Sequence, residues 1–213
     1  MAIKSNVRDF LQVINQGVKP NLFVIDITFP TALRLGPTAS NISPGTNISP
    51  GTGGTDRDIF GILCKSAALP ASNLGVIEVP FRGRTVKIAG DRTFDTWTAT
   101  FINDKDFKIR HYMENWMNQI NTHVGNRATA IVPSNNTGYT AHIEVKQLER
   151  NDSEEGVFIR KYKLWDCFPT NISQIDLAYD SNDQIEDFTV EFQLQYWTVD
   201  QDGVGRSPGQ VNG

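Results

Sequence analysis

The sequence predicts a mainly β protein of the α+β class, a β-rich domain accompanied by one long helix. Three observations carry this expectation. The stretch Ile185–Trp197, IEDFTVEFQLQYW, alternates without a fault: Phe188, Val190, Phe192, Leu194 and Tyr196 fall on one side, and Asp187, Thr189, Glu191, Gln193 and Gln195 on the other. A strand points successive side chains to opposite faces, so this is a strand with one dry and one wet face. The same period recurs in Leu22–Phe29 and Asp95–Ile102, whereas helical spacing is sustained only over about 103–122. At about 3.3 Å per residue the stretch 185–197 would span roughly 43 Å. Left as an edge, so long a strand would invite pairing with other chains, so either the fold closes around it or inter-chain pairing is its purpose.

Composition sets the outer bounds. The chain has 213 residues, enough for one large domain or two small ones. Its 39% hydrophobic content can fill a core, which argues against disorder. The net charge is -4, from 20 basic and 24 acidic residues, which excludes a protein that grips nucleic acid through a dominant basic surface. Cys64 and Cys167 form no CxxC pair and read as reduced, buried thiols. No apolar run reaches the ~18 residues of a membrane span, and the N-terminus shows no signal-peptide core. The expectation is a protein made and folded in a cytoplasm.

Taken in order, Ser5 can cap a short helix carrying Val7, Phe10, Leu11 and Ile14, with Gly17 as its stop. In Leu22–Phe29, Phe23, Ile25, Ile27 and Phe29 share a face. Positions 30–59 have almost no periodicity and contain the repeat NISPGT at 41–46 and 47–52, which reads as a long loop insertion outside the main sheets. Phe60–Ala67 and Val76–Phe81 read as strands. The run 81–94, FRGRTVKIAGDRTF, clusters Arg82, Arg84, Lys87 and Arg92 in a hairpin, and these are the candidate inter-subunit contacts. In the strand Asp95–Ile102, Trp97, Ala99 and Phe101 point one way and Thr96, Thr98 and Thr100 the other. Asn103 with Asp106 resembles a capping box opening the long helix, whose stripe is Ile109, Met113, Trp116 and Ile120, joined by Met117. Thr140–Lys146 and Val157–Asp166 read as a strand pair. Pro169–Tyr179 reads as a turn and short strand, and Asp180–Gln184 as the hairpin into the longest strand. The Gly-rich tail from about 200 to 213 reads as loose.

No catalytic, cofactor or metal constellation emerges. His111, His123 and His142 are scattered, and neither HExxH nor a Cys/His cluster supplies zinc spacing. GxSxG, GxGxxG and GxxxxGK[ST] are missing. Asp180, Asn182 and Gln184 begin like a calcium loop, but Ile185 stands where the turn glycine belongs. A hydrolase therefore has no motif behind it. A carbohydrate-binding β-sandwich would be equally silent but needs a groove of exposed aromatics, and Trp97, Trp116 and Tyr196 sit on faces assigned to the core.

Two runs carry a resemblance. AGDRTFDTWTATFINDKDFKIRHYMENW (89–116) and WDCFPTNISQIDLAYDSNDQIEDFTVEFQLQYW (165–197) resemble the tail tube proteins of contractile-tailed, T-even-like bacteriophages. KPNLF at 19–23 and ALPA at 68–71 fit the same pattern. The resemblance implies an antiparallel β-barrel or sandwich flanked by a helix. It implies a structural virion protein and no enzyme, with subunits closing into hexameric rings that stack as a tube inside a contractile sheath. The implied partners are further copies of the chain, tail sheath, baseplate and tail-terminator proteins, and the tape-measure protein and genomic DNA in the lumen, with no membrane. The implied place is the virion tail, assembled in the bacterial host cytoplasm. A baseplate tube-initiator or the inner tube of a phage-like injection particle would share the motifs. In a closed ring the wet faces Thr189, Glu191, Gln193, Gln195 and Thr96, Thr98, Thr100 become the candidate lumen lining.

Overall fold

Strands dominate because β-branched and aromatic residues alternate with polar ones, and each strand's dry face finds another to cover it. The computed structural model describes residues 7–8, 17–29, 59–128, 138–148, 158–180 and 183–200. Most of the helix expected after Ser5, the insertion up to position 58 and the tail beyond Asp200 lie outside the described residues.

The elements are β1 (Phe23–Thr28), α1 (Ile59–Leu63), β2 (Cys64–Ala67), β3 (Asn73–Phe81), β4 (Arg84–Thr93), β5 (Trp97–Ile102), α2 (Lys108–Ile120), β6 (Ala141–Leu148), β7 (Phe158–Ile172), β8 (Asp187–Gln193) and β9 (Tyr196–Asp200). All their pairings are antiparallel. Strand β7 runs 15 residues and serves two sheets. Its first part lies between β6 and β9, with β1 beyond β6. Its last part pairs with β8, which leads on to β5 and β2. The switch falls near Asp166, whose backbone is left-handed at φ 52° and whose carboxylate accepts a hydrogen bond from Thr140 Oγ1 at 3.2 Å. The hairpin β3–β4 stands apart as its own two-stranded sheet.

The core forms where α2 meets the sheets. Ile109, Tyr112, Met113 and Trp116 are its buried stripe, with Ile120 half-buried beside it. Trp116 packs edge-on against Phe29, with ring centroids 5.1 Å apart, and against Phe192 at 6.1 Å. Its indole N–H donates to the Tyr139 carbonyl at 2.7 Å. Phe60 of α1 completes the cluster against Phe29 and Phe101. Cys64 and Cys167 are free and buried, and burial pushes the Cys64 thiol up to about 12 and raises that of Cys167 as well.

Five expectations need correction. The strand over Phe60–Ala67 is a turn of helix followed by the short β2, because Phe60 swings into the core while Ile62 stays exposed. The long helix starts at Lys108, not 103. Phe107 is left-handed at φ 53°, and Asp104 rather than Asn103 accepts the Lys108 N–H, at 2.8 Å. Asn103 instead pairs with Glu186, its amide donating to the carboxylate at 3.0 Å. Pro169–Ile172 continues β7 instead of turning; β6 pairing ends at Cys167, so the proline sits where β7 has only β8 beside it. The segment after Ile172 is irregular, not a strand.

The fifth correction concerns the longest strand. Ile185–Trp197 is two strands, β8 in one sheet and β9 in the other, with Leu194 and Gln195 as the joint. Phe188, Val190, Phe192 and Leu194 are buried as expected, but Tyr196 is 43% exposed. The crossing resets the side-chain phase, so Trp197 turns inward in place of Tyr196.

Candidate functional site

Among the described residues, nothing covers the hairpin β3–β4. Its turn, Arg82–Gly83, is left-handed at both residues, with φ 45° and 81°, as a two-residue hairpin turn of the primed type requires. Register pairs Ile77 with Ile88, Val79 with Val86 and Phe81 with Arg84, which places Ile77, Val79, Phe81, Val86 and Ile88 on one face. All five are exposed, Phe81 by 62%. The opposite face carries Glu78 and Lys87 as an ion pair at 3.6 Å. Two indoles pin the hairpin's base: Trp97 donates to the Ala68 carbonyl at 2.5 Å and Trp197 to that of Ala71 at 2.9 Å.

The four cations singled out in the sequence divide over this hairpin. Arg82 sits in the turn with its guanidinium 5.4 Å from the Phe81 ring centroid, and Arg84 lies at the end of the apolar face. Lys87 is on the polar face, and Arg92 is near the base opposite Leu74. The cations are therefore spread out, and the apolar face between them is the feature the sequence reading missed. Its signal was present in the alternation of Ile77, Val79 and Phe81.

The candidate lining residues come together more closely. Register sets Thr98 opposite Glu191 and Thr100 opposite Thr189, whose hydroxyls lie 3.1 Å apart. Asn171 faces Glu191 from β7, and Gln193 extends the same row. This outward face is polar, and its cation Lys65 is ion-paired with Asp187. Thr96 precedes β5, and Gln195 lies in the joint between β8 and β9, so both border the face as exposed residues outside any strand.

The face of the other sheet turned away from the core is an ion ladder, buried at Asp26 and half-buried at its lysines. Lys146 pairs with Asp26 and lies 3.5 Å from Glu144, Lys163 lies 3.8 Å from Glu144, and Lys161 lies 3.1 Å from Asp200. His142 packs edge-on against Trp165 at 4.6 Å. Burial holds its imidazole below the usual range and nearby Lys163 adds to this, while Asp166 and Glu144 pull the other way. The unfolded chain therefore takes up this proton before the fold does. The stability from His142 is complete above the ordinary value of 6.5 and is lost as pH falls below it. His142→Phe is expected to shrink the drop in Tm between about pH 7.5 and about pH 5.5. An unchanged drop in calorimetry would place the acid sensitivity in other groups.

A third feature lies between β7 and β8. Residues 173–179 and 184–189 border an open groove of about 720 Å³. Leu177, Tyr179 and Ile185 are exposed on it. Positions 173–189 hold five carboxylates and no Lys or Arg. Among the described residues, no three His, Cys, Asp or Glu side chains converge as metal ligands would.

The comparisons with known proteins agree on a family. The family model described as phage tail tube protein matches residues 18–200. The tail tube protein of Enterobacteria phage T4 is 36% identical over 138 residues, covering 65% of this chain and 80% of that protein. The tail tube protein of Serratia phage KSP90 is 30% identical over 146 residues, covering 68% and 76%. A chain in the PVC sheath/tube terminator of an extracellular contractile injection system shares the fold with a TM-score of 0.55 at 12% identity, over 93% of this chain and 99% of that one.

Proposed function

Because this chain belongs to the phage tail tube protein family, a structural and non-enzymatic family of the virion tail, we propose that its copies close into hexameric rings that stack into a tube conducting DNA. The observation that carries this reading is the uncovered apolar face of β3–β4. A monomer gains nothing from five exposed large side chains on a projecting hairpin, and such a patch marks an interaction surface. Each still has on the order of 1 kcal/mol to gain from full burial. Tail sheath, baseplate and tail-terminator proteins are the outer partners in this reading, and the tape-measure protein and genomic DNA occupy the lumen. Assembly takes place in the host cytoplasm.

The test is electron microscopy of the purified chain across concentration and salt. Stacked rings or tubes are the expected result. Single rings that never stack would favour a tube initiator, and persistent monomers would overturn the reading.

The lining follows from the same proposal. With Thr98, Thr100, Thr189, Glu191 and Gln193 on one face of β5 and β8, a ring that turns this face inward offers DNA hydroxyls, an amide and a carboxylate. DNA affinity grows with each phosphate neutralised, so a lining without spare cations lets the strand slide. Gln193→Lys is expected to permit tube assembly and to slow DNA ejection, with the defect easing at high salt. The rate of DNA release from virions carrying the variant reads this out. An unchanged rate would move the lining to the other sheet.

A further inference from the structure

The sheet that carries the candidate lining is built from β2, β5, β8 and the last part of β7, residues 168–172. Its strands read CKSA, WTATFI, DFTVEFQ and FPTNI, and Lys65 is the single Lys or Arg among those residues. A bulge sets its place. Cys64 pairs with buried Phe101 and Ser66 pairs with Thr100, so Lys65 and Ser66 share one step of β5. The extra residue of a bulge leaves the ladder, and its side chain is re-aimed.

Lys65 is aimed across the sheet. Its ammonium donates to the Asp187 carboxylate on β8, and Asp187 is paired in register with Ile102 of β5, the strand between the two. Asp187 stands two residues before Thr189 and four before Glu191, on the same face of β8. Glu191 is therefore roughly 13 Å further along, too far to serve the same lysine.

Stability does not account for this pair. The two side chains stay 58% and 37% exposed, and ion pairs so open to water contribute little to a fold. The charge of the face is affected far more. A lysine that neutralises a phosphate strengthens DNA binding and steepens its dependence on salt, and in a ring every copy would present one.

We propose that Asp187 is a positioning residue of the DNA path, holding the Lys65 ammonium against the wall so that the one lysine of this sheet does not grip passing phosphates. The assignment rests on the reading of this face as the lumen and adds the residue that masks its cation.

The experiment measures DNA release from virions carrying full-length variants at low and high salt. Asp187→Asn keeps the shape of the side chain and removes its charge. It is expected to slow release about threefold or more at low salt and to match the parent at high salt. Adding Lys65→Met to it is expected to restore the parent rate. Glu191→Gln removes the same unit of charge from the same face but uncovers no lysine, so its release is expected to stay within about twofold of the parent. Equal slowing by Asp187→Asn and Glu191→Gln, or slowing that Lys65→Met does not reverse, overturns the masking role. Loss of assembly in Asp187→Asn that Lys65→Met does not repair would make the pair structural and overturns it too. If Asp187→Asn releases DNA at the parent rate while Gln193→Lys is slowed, the lining stands and the mask falls. If neither is slowed, the lumen reading of this face falls with it.

Discussion

A chain carrying Ile77→Asp and Val86→Asp is expected to fold normally and to remain unassembled at any concentration. Both side chains are about half exposed in the subunit, so its own packing loses little, and surface changes away from special features usually move stability by no more than about 0.5 kcal/mol. Assembly loses far more. Two carboxylates buried without partners at an interface cost several kcal/mol each, on top of the lost apolar contact. A Tm within a few degrees of the parent, together with monomers by light scattering and an absence of rings by microscopy, is the predicted combination. Normal tubes from this variant would mean that the apolar face of the hairpin is not an interface.

Trp116→Ala is expected to produce the opposite pattern, a lesion of the fold itself. The ring is fully buried between Phe29 and Phe192, and truncating a buried tryptophan costs about 3–5 kcal/mol. The Tyr139 carbonyl also loses its donor, which costs about 1–3 kcal/mol if it stays buried. For a chain of this size each kcal/mol shifts Tm by about 2–4 °C, so a fall of roughly 10 °C or more is expected. Calorimetry below the assembly concentration measures it, with exposed Leu177→Ala as a control that should leave Tm unchanged. A fall of only about 2 °C would show that the cluster around α2 repacks around the gap.

The sequence disclosed faces well and connections poorly. The alternation in β5 and β8 identified the residues that the register later paired, because the period of a strand is a local property. The break at Leu194–Gln195 was invisible, since the polar/apolar pattern runs straight through it. Only the second sheet, offering the Trp165 carbonyl to the Gln195 N–H at 3.1 Å, turns the chain there. Pro169 misled because a proline suggests a turn, and nothing local says that β7 has lost one neighbour at that point. The hairpin was found, but its arginines drew the attention. An apolar face in a sequence says that something covers it, and not whether the cover belongs to the same chain.

The pairing of β1 with β6 joins Asp26 to Lys146, 120 positions along the chain. By contrast β3 meets β4 across two residues, and β6 ends at Leu148 only a short way along the chain from the start of β7 at Phe158. Loop closure has to be completed before a distant contact returns anything, so hairpins form first and remote strands dock late. β1 is therefore the slow strand of this chain. Until it arrives, β6 shows a bare row of amides and carbonyls while β1 itself drifts as a free apolar ribbon. A newly made chain at high local concentration passes through a window in which it can pair with a neighbour's β1 instead of its own. Swapping of β1 between copies is the misfolding route this topology leaves open, and it is set by chain connectivity, not by the strength of any contact in the finished subunit.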